Sequence, residues 1–285
     1  RERYWCCEPI WTKGLNAGKV RAGEKVSCFL INVEDSMTSI GRSINSALQL
    51  SRIGGGCGIN LTDIRPMGDP IKGVDGLTSG VVPVMKLYED SFSYSNQMGA
   101  RQGAGVAYLN VFHKDIVNFL ATKKENADEK VRLKTLSLRL VVPDKYYELV
   151  AYGQPMYLFS PYDIKKEYGI SMSEMNITEM YDELVSNPKI RKDKIFAREL
   201  EDEISKLQQE SGYPYIINID TANRANNVFG TIKMSNLCTE IFQVQTESEI
   251  NEDQTYKSLG TDISCNLSST NVANMMESPN FGKSI

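Results

Sequence analysis

Residues 26–61 read VSCFLINVEDSMTSIGRSINSALQLSRIGGGCGINL, and the hydrophobic period changes twice within them. VSCFLINV is a short apolar run rich in β-branched and aromatic side chains, the composition of a strand. Met37, Ile40, Ile44, Ala47, Leu48 and Ile53 then recur at helical spacing, with Asp35 or Ser36 placed to cap the helix. GGGCGINL is a glycine-rich turn into a second short strand. Strand, helix, strand makes one βαβ unit, whose two strands lie parallel.

The alternation continues outward. Residues 80–98, 114–124 and 143–152 read as helices, and 107–112, 133–142 and 156–160 as strands. ITEMYDELVSN and FARELEDEISKLQQESG are amphipathic helices with charge on one face, and YPYIINID is strand-like again. Repeated βα units predict an α/β fold: a largely parallel sheet with helices outside, open or curled into a barrel. In such folds the working groups collect at the carboxyl ends of the strands. No linker, fixed-period repeat or low-complexity tract divides the chain, and residues 245–262 read as a polar surface excursion between two strands.

Composition narrows the function classes. The chain has 285 residues and a net charge of −4, with no basic block, which argues against a nucleic-acid partner. Its apolar runs fall short of the roughly 20 residues that span a bilayer. The start, RERYWCCEPIW, has neither a secretory signal nor an initiator Met, so a fragment of a cytoplasmic protein is expected. Six cysteines at 6, 7, 28, 57, 238 and 265 are too scattered for a small disulfide scaffold. With no CxxC pair and a single histidine, His113, no metal site is expected. The triplets beginning at Asn60 and Asn266 match the glycosylation pattern by chance in such a chain.

The stretch MSNLCTEIF, 234–242, sets Asn236, Cys238 and Glu240 in alternation with Leu237, Thr239 and Ile241. On an extended backbone the first three would share one face. Thiol, amide and carboxylate would then form a catalytic cluster, or the segment is a half-buried strand with an inert cysteine. A cysteine hydrolase would need a base, for which His113 is the one imidazole. The glycine-rich RIGGGCG and GARQGAG fit neither a Walker loop nor GxGxxG, and read as tight turns or weak phosphate cradles.

Taken in order, KVSCFLINVEDSMTSIGRSINSALQLSRIGGG, KLYEDSFSYSNQMGARQGAGVAYL, KKENADEKVRLKTLSL, LFSPYDI, ESGYPYI, NRANN, MSNLCTEI and DISCNLSSTN resemble the catalytic large subunit of ribonucleotide reductases, most closely the class Ib form. The resemblance covers residues 14–285 and implies part of that family's ten-stranded α/β barrel, including the specificity-effector region. It implies reduction of ribonucleoside diphosphates to deoxyribonucleotides for DNA synthesis. A thiyl at Cys238 would take the 3′-hydrogen, Glu240 would act as base, and Asn236 would hold the sugar. Cys28 and Cys265 would be the thiols that close to a disulfide. Ser27, Arg101 and Ala104 would meet substrate, Arg101 in a loop over 95–106 that relays effector identity. Asp35, Ser36, Arg65 and Lys72 would bind a deoxynucleoside triphosphate or ATP effector. The implied partners are a metal-containing small subunit that supplies the radical, a thioredoxin- or glutaredoxin-like reductant, and a second large subunit.

Residues 1–13 match nothing in that family, so Cys6 and Cys7 receive no role, and Ser268 and Thr270 are unusual for it. Cys57 reads as a packed side chain and His113 as a structural one. The family continues beyond the equivalent of PNFGKSI. The alternative expectation is therefore a catalytically incomplete module that binds nucleotide or a partner subunit and works only with complementary segments.

Overall fold

The computed structural model describes residues 26–95 and 102–266, apart from 247, 252, 254 and 262. Residues 1–25, residues 96–101 of the 95–106 loop with Arg101 among them, Ser268 and Thr270 lie outside the described residues. The side chains of Ser27 and Cys265 do as well.

Strands β1 (Val26–Asn32), β2 (Gly56–Asn60), β3 (Ala104–Asn110), β4 (Ser137–Val142) and β7 (Tyr215–Asn218) pair in parallel, in that spatial order. A short strand β10 (Ile263–Asn266) closes the β1 edge antiparallel. Strands β5 (Pro155–Phe159) and β6 (Lys192–Phe196) form a separate antiparallel pair, tied to the main sheet by a parallel bridge between His113 and Phe159. Strands β8 (Glu249–Ile250) and β9 (Tyr256–Ser258) form the hairpin of the polar excursion.

The helices are α1 (Met37–Arg52), α2 (Val81–Tyr94), α3 (Ile116–Ala121), α4 (Asp144–Ala151), α5 (Pro161–Tyr168), α6 (Ile177–Ser186), α7 (Ala197–Ser211) and α8 (Ile219–Arg224). Ser36, one of the two expected caps, accepts from the Ser39 amide at 3.0 Å. Sequence reading missed α5 and β6. Pro161 at the first turn and Gly169 in the left-handed conformation at its end punctuate α5. Strand β6, KDKIF, lacks an apolar run because it is half exposed.

Because neighbouring strand residues face opposite ways, the sheet has two buried faces. On the outer face Ile31, Cys57, Ile59, Ala107, Leu109, Leu138 and Leu140 pack against Ala47, Met85, Tyr88 and Phe92 of α1 and α2. On the inner face Cys28, Leu30, Val106, Tyr108, Val141 and Ile217 are covered by the returning chain through Ile232, Met234 and Ile241. Glycines make room for the outer helices: a Cβ on Gly105 would lie 2.1 Å from the Phe92 ring. No described helix is long and apolar enough to cross a membrane.

His113 is wholly buried. Its Nδ1 accepts from the Asp115 amide at 2.9 Å, so Nε2 carries the proton and donates to the Ile64 carbonyl at 2.8 Å. Burial holds its pKa below the usual imidazole value. Both nitrogens serve the fold, as expected of a structural histidine.

Glu89 on α2 organises the entry to β4. It is buried, and its Oε1 accepts from the amides of Lys134 at 2.6 Å and Thr135 at 2.7 Å. Burial alone would raise its pKa, but bonds from Lys86, Thr135 and Leu136 outweigh that and hold it below the usual glutamate value. A depressed folded-state pKa gives stability that is complete above the unfolded value and is lost as pH falls through the folded one. Glu89→Gln is expected to cost about 1–3 kcal/mol at neutral pH in urea denaturation. Below about pH 4 its stability should fall less steeply than that of the parent chain.

Candidate active site

The inner face is occupied by the chain between α8 and β8. One leg is held at Ile232, whose amide donates to Asn223 Oδ1 (2.8 Å) and whose carbonyl accepts from Asn223 Nδ2 (3.0 Å). The other is held at Gln245, whose Nε2 donates to the Leu30 carbonyl at 2.8 Å. Between them the chain lies directly on β2. A Cβ on Gly58 would stand 2.5 Å from the Ser235 carbonyl oxygen, and one on Gly56 would stand 2.9 Å from Leu237 Cδ2. Thus the glycines of RIGGGCG do more than make a turn. Two of them are seats for this loop.

The expected alternation of Asn236, Cys238 and Glu240 along a strand is overturned. Leu237 and Cys238 form a turn, and Thr239 takes φ 70°. Asn236 is buried, while Cys238 and Glu240 are exposed. The physical reason is local: Asn236 Oδ1 accepts from the amides of Glu240 (3.0 Å) and Ile241 (3.1 Å), an Asx-type closure that competes with extension. Asn236 Nδ2 is buried with no hydrogen-bond partner among the described residues. The Tyr108 hydroxyl donates to the Asn236 carbonyl at 2.6 Å.

The turn carries Glu240 back to β1, where Cys28 Sγ donates to Glu240 Oε1 at 3.4 Å. Cys28 pairs in register with Gly56, the first residue of β2, and directly opposite Cys265 on β10. Opposed residues of an antiparallel pair stand about 4.5–5.5 Å apart at Cα. A disulfide accepts about 4.4–6.8 Å. The register shifts between Val26 and Cys28, leaving Ser27 at an irregularity of the strand. Ala104 pairs with Gly56 and borders the same ground. The cluster therefore lies toward the amino ends of the parallel strands, not the carboxyl ends, because the loop reaches back across the sheet.

Cys57 is separated from this chemistry by strand parity. It faces the helices, and burial, with Cys28 adding to it, pushes its thiol up to about 12. No described group of three or more His, Cys, Asp or Glu side chains could hold a metal ion.

The four expected effector residues divide. Asp35 and Arg65 form an ion pair at 2.5 Å, and Arg65 also donates to the Pro70 carbonyl. With Ser36 they line a cavity of about 370 Å³ beside Tyr162, Lys165 and Lys166. The guanidinium of Arg65 lies 4.6 Å from the Tyr162 ring centroid. Lys72 is exposed, at φ 50°, and does not line that cavity. Sequence reasoning missed Tyr162, Lys165 and Lys166. LFSPYDI was noticed for its resemblance, but nothing local shows that α5 turns toward α1.

The comparisons agree with this architecture. Residues 26–284 match the barrel domain of ribonucleotide reductase, and the chain belongs to that family. It is 51% identical over 277 residues to the ribonucleoside-diphosphate reductase subunit alpha of Mycoplasma pneumoniae, covering 97% of this chain and 38% of the relative. The subunit alpha of Bacillus subtilis is 49% identical over 280 residues (98% and 40%), and that of Synechocystis 34% over 266 residues (90% and 33%). The chain thus spans 33–40% of the length of these relatives.

Two outcomes follow from the packing. Gly58→Ala should cost about 1–3 kcal/mol by overpacking against Ser235, whereas Gly41→Ala, in open space on α1, should gain about 0.5–1 kcal/mol. Paired denaturation curves would read both. Iodoacetamide at pH 8 should label Cys238 of the native chain and spare Cys57, read by peptide mass spectrometry.

Proposed function

We propose that these residues form the thiol-bearing part of the large, catalytic subunit of a class Ib-like ribonucleoside-diphosphate reductase. One observation carries the reading: the backbone register sets Cys28 opposite Cys265 on the adjacent strand while the Cys28 thiol touches Glu240, two residues beyond the exposed Cys238.

A hydroxyl at C2′ of a ribose is a poor leaving group, and radical chemistry at the neighbouring carbon removes that barrier. A thiyl on Cys238 takes the 3′-hydrogen atom, giving a thiol and a C3′ radical. Glu240 accepts the 3′-hydroxyl proton as a general base, and the 2′-hydroxyl leaves as water with a proton from the thiol pair. Asn236 Nδ2, without a partner among the described residues, is the donor available to a sugar oxygen. Cys28 and Cys265 together supply two electrons and two protons and close to a disulfide, and Cys238 returns its hydrogen to C3′. The balance is ribonucleotide plus dithiol to deoxyribonucleotide, water and disulfide. A pair that cycles must close and reopen within bonding reach, which the opposed positions 28 and 265 support. A metal-containing small subunit supplies the radical, a thioredoxin- or glutaredoxin-like dithiol restores the pair, and a second large subunit completes a cytoplasmic dimer.

The cavity beside α5 is read as the effector pocket. Asp35 and Ser36 face the nucleoside, and Arg65 with the neighbouring lysines faces the phosphates of a deoxynucleoside triphosphate or ATP.

The test completes the chain with the remaining part of a relative's α subunit and adds the small subunit and reductant. Ribonucleoside-diphosphate reduction is expected, with Cys238→Ser lowering it by about a thousandfold or more. Cys28→Ser or Cys265→Ser should block disulfide formation during turnover. Turnover that survives Cys238→Ser would sink the mechanism. Deoxynucleotide binding without turnover in the completed protein would favour a binding module instead.

A further inference from the structure

Arg139 has no part in the mechanism above, yet its guanidinium is on the inner face beside the turn. Only 4% of its surface is exposed. A buried cation ordinarily has a carboxylate partner. Among the described residues, Arg139 meets rings and neutral oxygens instead. Register sets it between Tyr108 on β3 and Tyr215 on β7. Its guanidinium carbon lies 5.4 Å from the first ring centroid and 5.0 Å from the second. Nη1 donates to the Tyr108 hydroxyl at 3.2 Å, and Nη2 reaches the Leu237 carbonyl at 3.5 Å. The Tyr108 hydroxyl continues to the Asn236 carbonyl.

We infer that Arg139 is the positioning residue for the Cys238 thiol: set between two tyrosine rings, it holds the carbonyls of Asn236 and Leu237, one through Tyr108 and one directly. The inference rests on the reading of Cys238 as the hydrogen-abstracting thiol. The turn needs such a hold because Thr239, a β-branched residue, stands at φ 70°, where L side chains are disfavoured. Asn236 closes the turn from within, and Arg139 fixes it to the sheet. A planar guanidinium can stack on both faces and donate in its own plane at once, which an ammonium cannot do. Placement matters to the reaction, since a shift of about 1 Å at a reacting group costs about a hundredfold in rate.

Two measurements test this. In the 285-residue chain carrying Arg139→Met, the amides of residues 237–241 should exchange hydrogen at least tenfold faster, with β2 and β3 within twofold of the parent. Tyr215→Leu, which removes one stacking ring, should give the same pattern more weakly and serves if Arg139→Met fails to fold. In the completed reductase, Arg139→Met should lower kcat at least tenfold with KM within twofold, and Arg139→Lys should not rescue it. Unchanged exchange at 237–241 in the folded variants, or faster exchange across the whole sheet, would overturn the proposal, as would an unaltered kcat. Localised exchange in a completed protein whose parent chain has no reductase activity would instead overturn the functional reading and leave the clamp standing as a structural one.

Discussion

The arrangement depends on one close approach: the backbone of residues 234–237 resting on a strand that has no side chains to push it away. Gly56 and Gly58 alternate with Cys57 and Ile59 on β2, so one face of the strand is bare and the other is packed. The bare face lets the loop lie within contact distance, and that contact is what brings Glu240 to Cys28. Side chains at those two positions would lift the turn by the thickness of a methyl group or more, and the thiol and carboxylate would separate.

Strand parity then sorts the cysteines. Cys28 and Cys57 belong to neighbouring strands, yet one faces the loop and the other the helices. The first touches a carboxylate, and the second is sealed among apolar side chains where ionisation is strongly disfavoured. The same alternation gives the inner face a polar seam, Tyr108, Arg139 and Tyr215, crossing three strands at one level. A guanidinium buried on this covered face needs compensation, and the two rings, the Tyr108 hydroxyl and the Leu237 carbonyl provide it.

Much of the architecture was legible. The period change across 26–61 gave β1, α1 and β2, because an apolar run, a capped 3.6-residue period and a glycine break are all local signals. The long helices α2 and α7 were equally plain. What failed was also local in origin. MSNLCTEIF alternates as a strand does, but its asparagine finds two backbone amides ahead of it and folds the chain into a turn. Short α5 and half-exposed β6 carry too few apolar residues for periodicity to show them.

By itself the sequence determined the order of the longer elements, the largely parallel sheet, the family and which residue types were available for thiol chemistry. The pairing of Cys28 with Cys265 was expected from the resemblance, but tertiary structure alone decided that they lie opposite each other on adjacent strands, that Glu240 reaches back across 212 residues to a thiol, and that Arg139 and Tyr108 support the turn. The reason is that hydrogen-bond partners within a helix or turn are set by residues a few positions apart. Contacts between a loop and a strand are set by which side of the sheet is left empty, and that is fixed only when all the strands have taken their register.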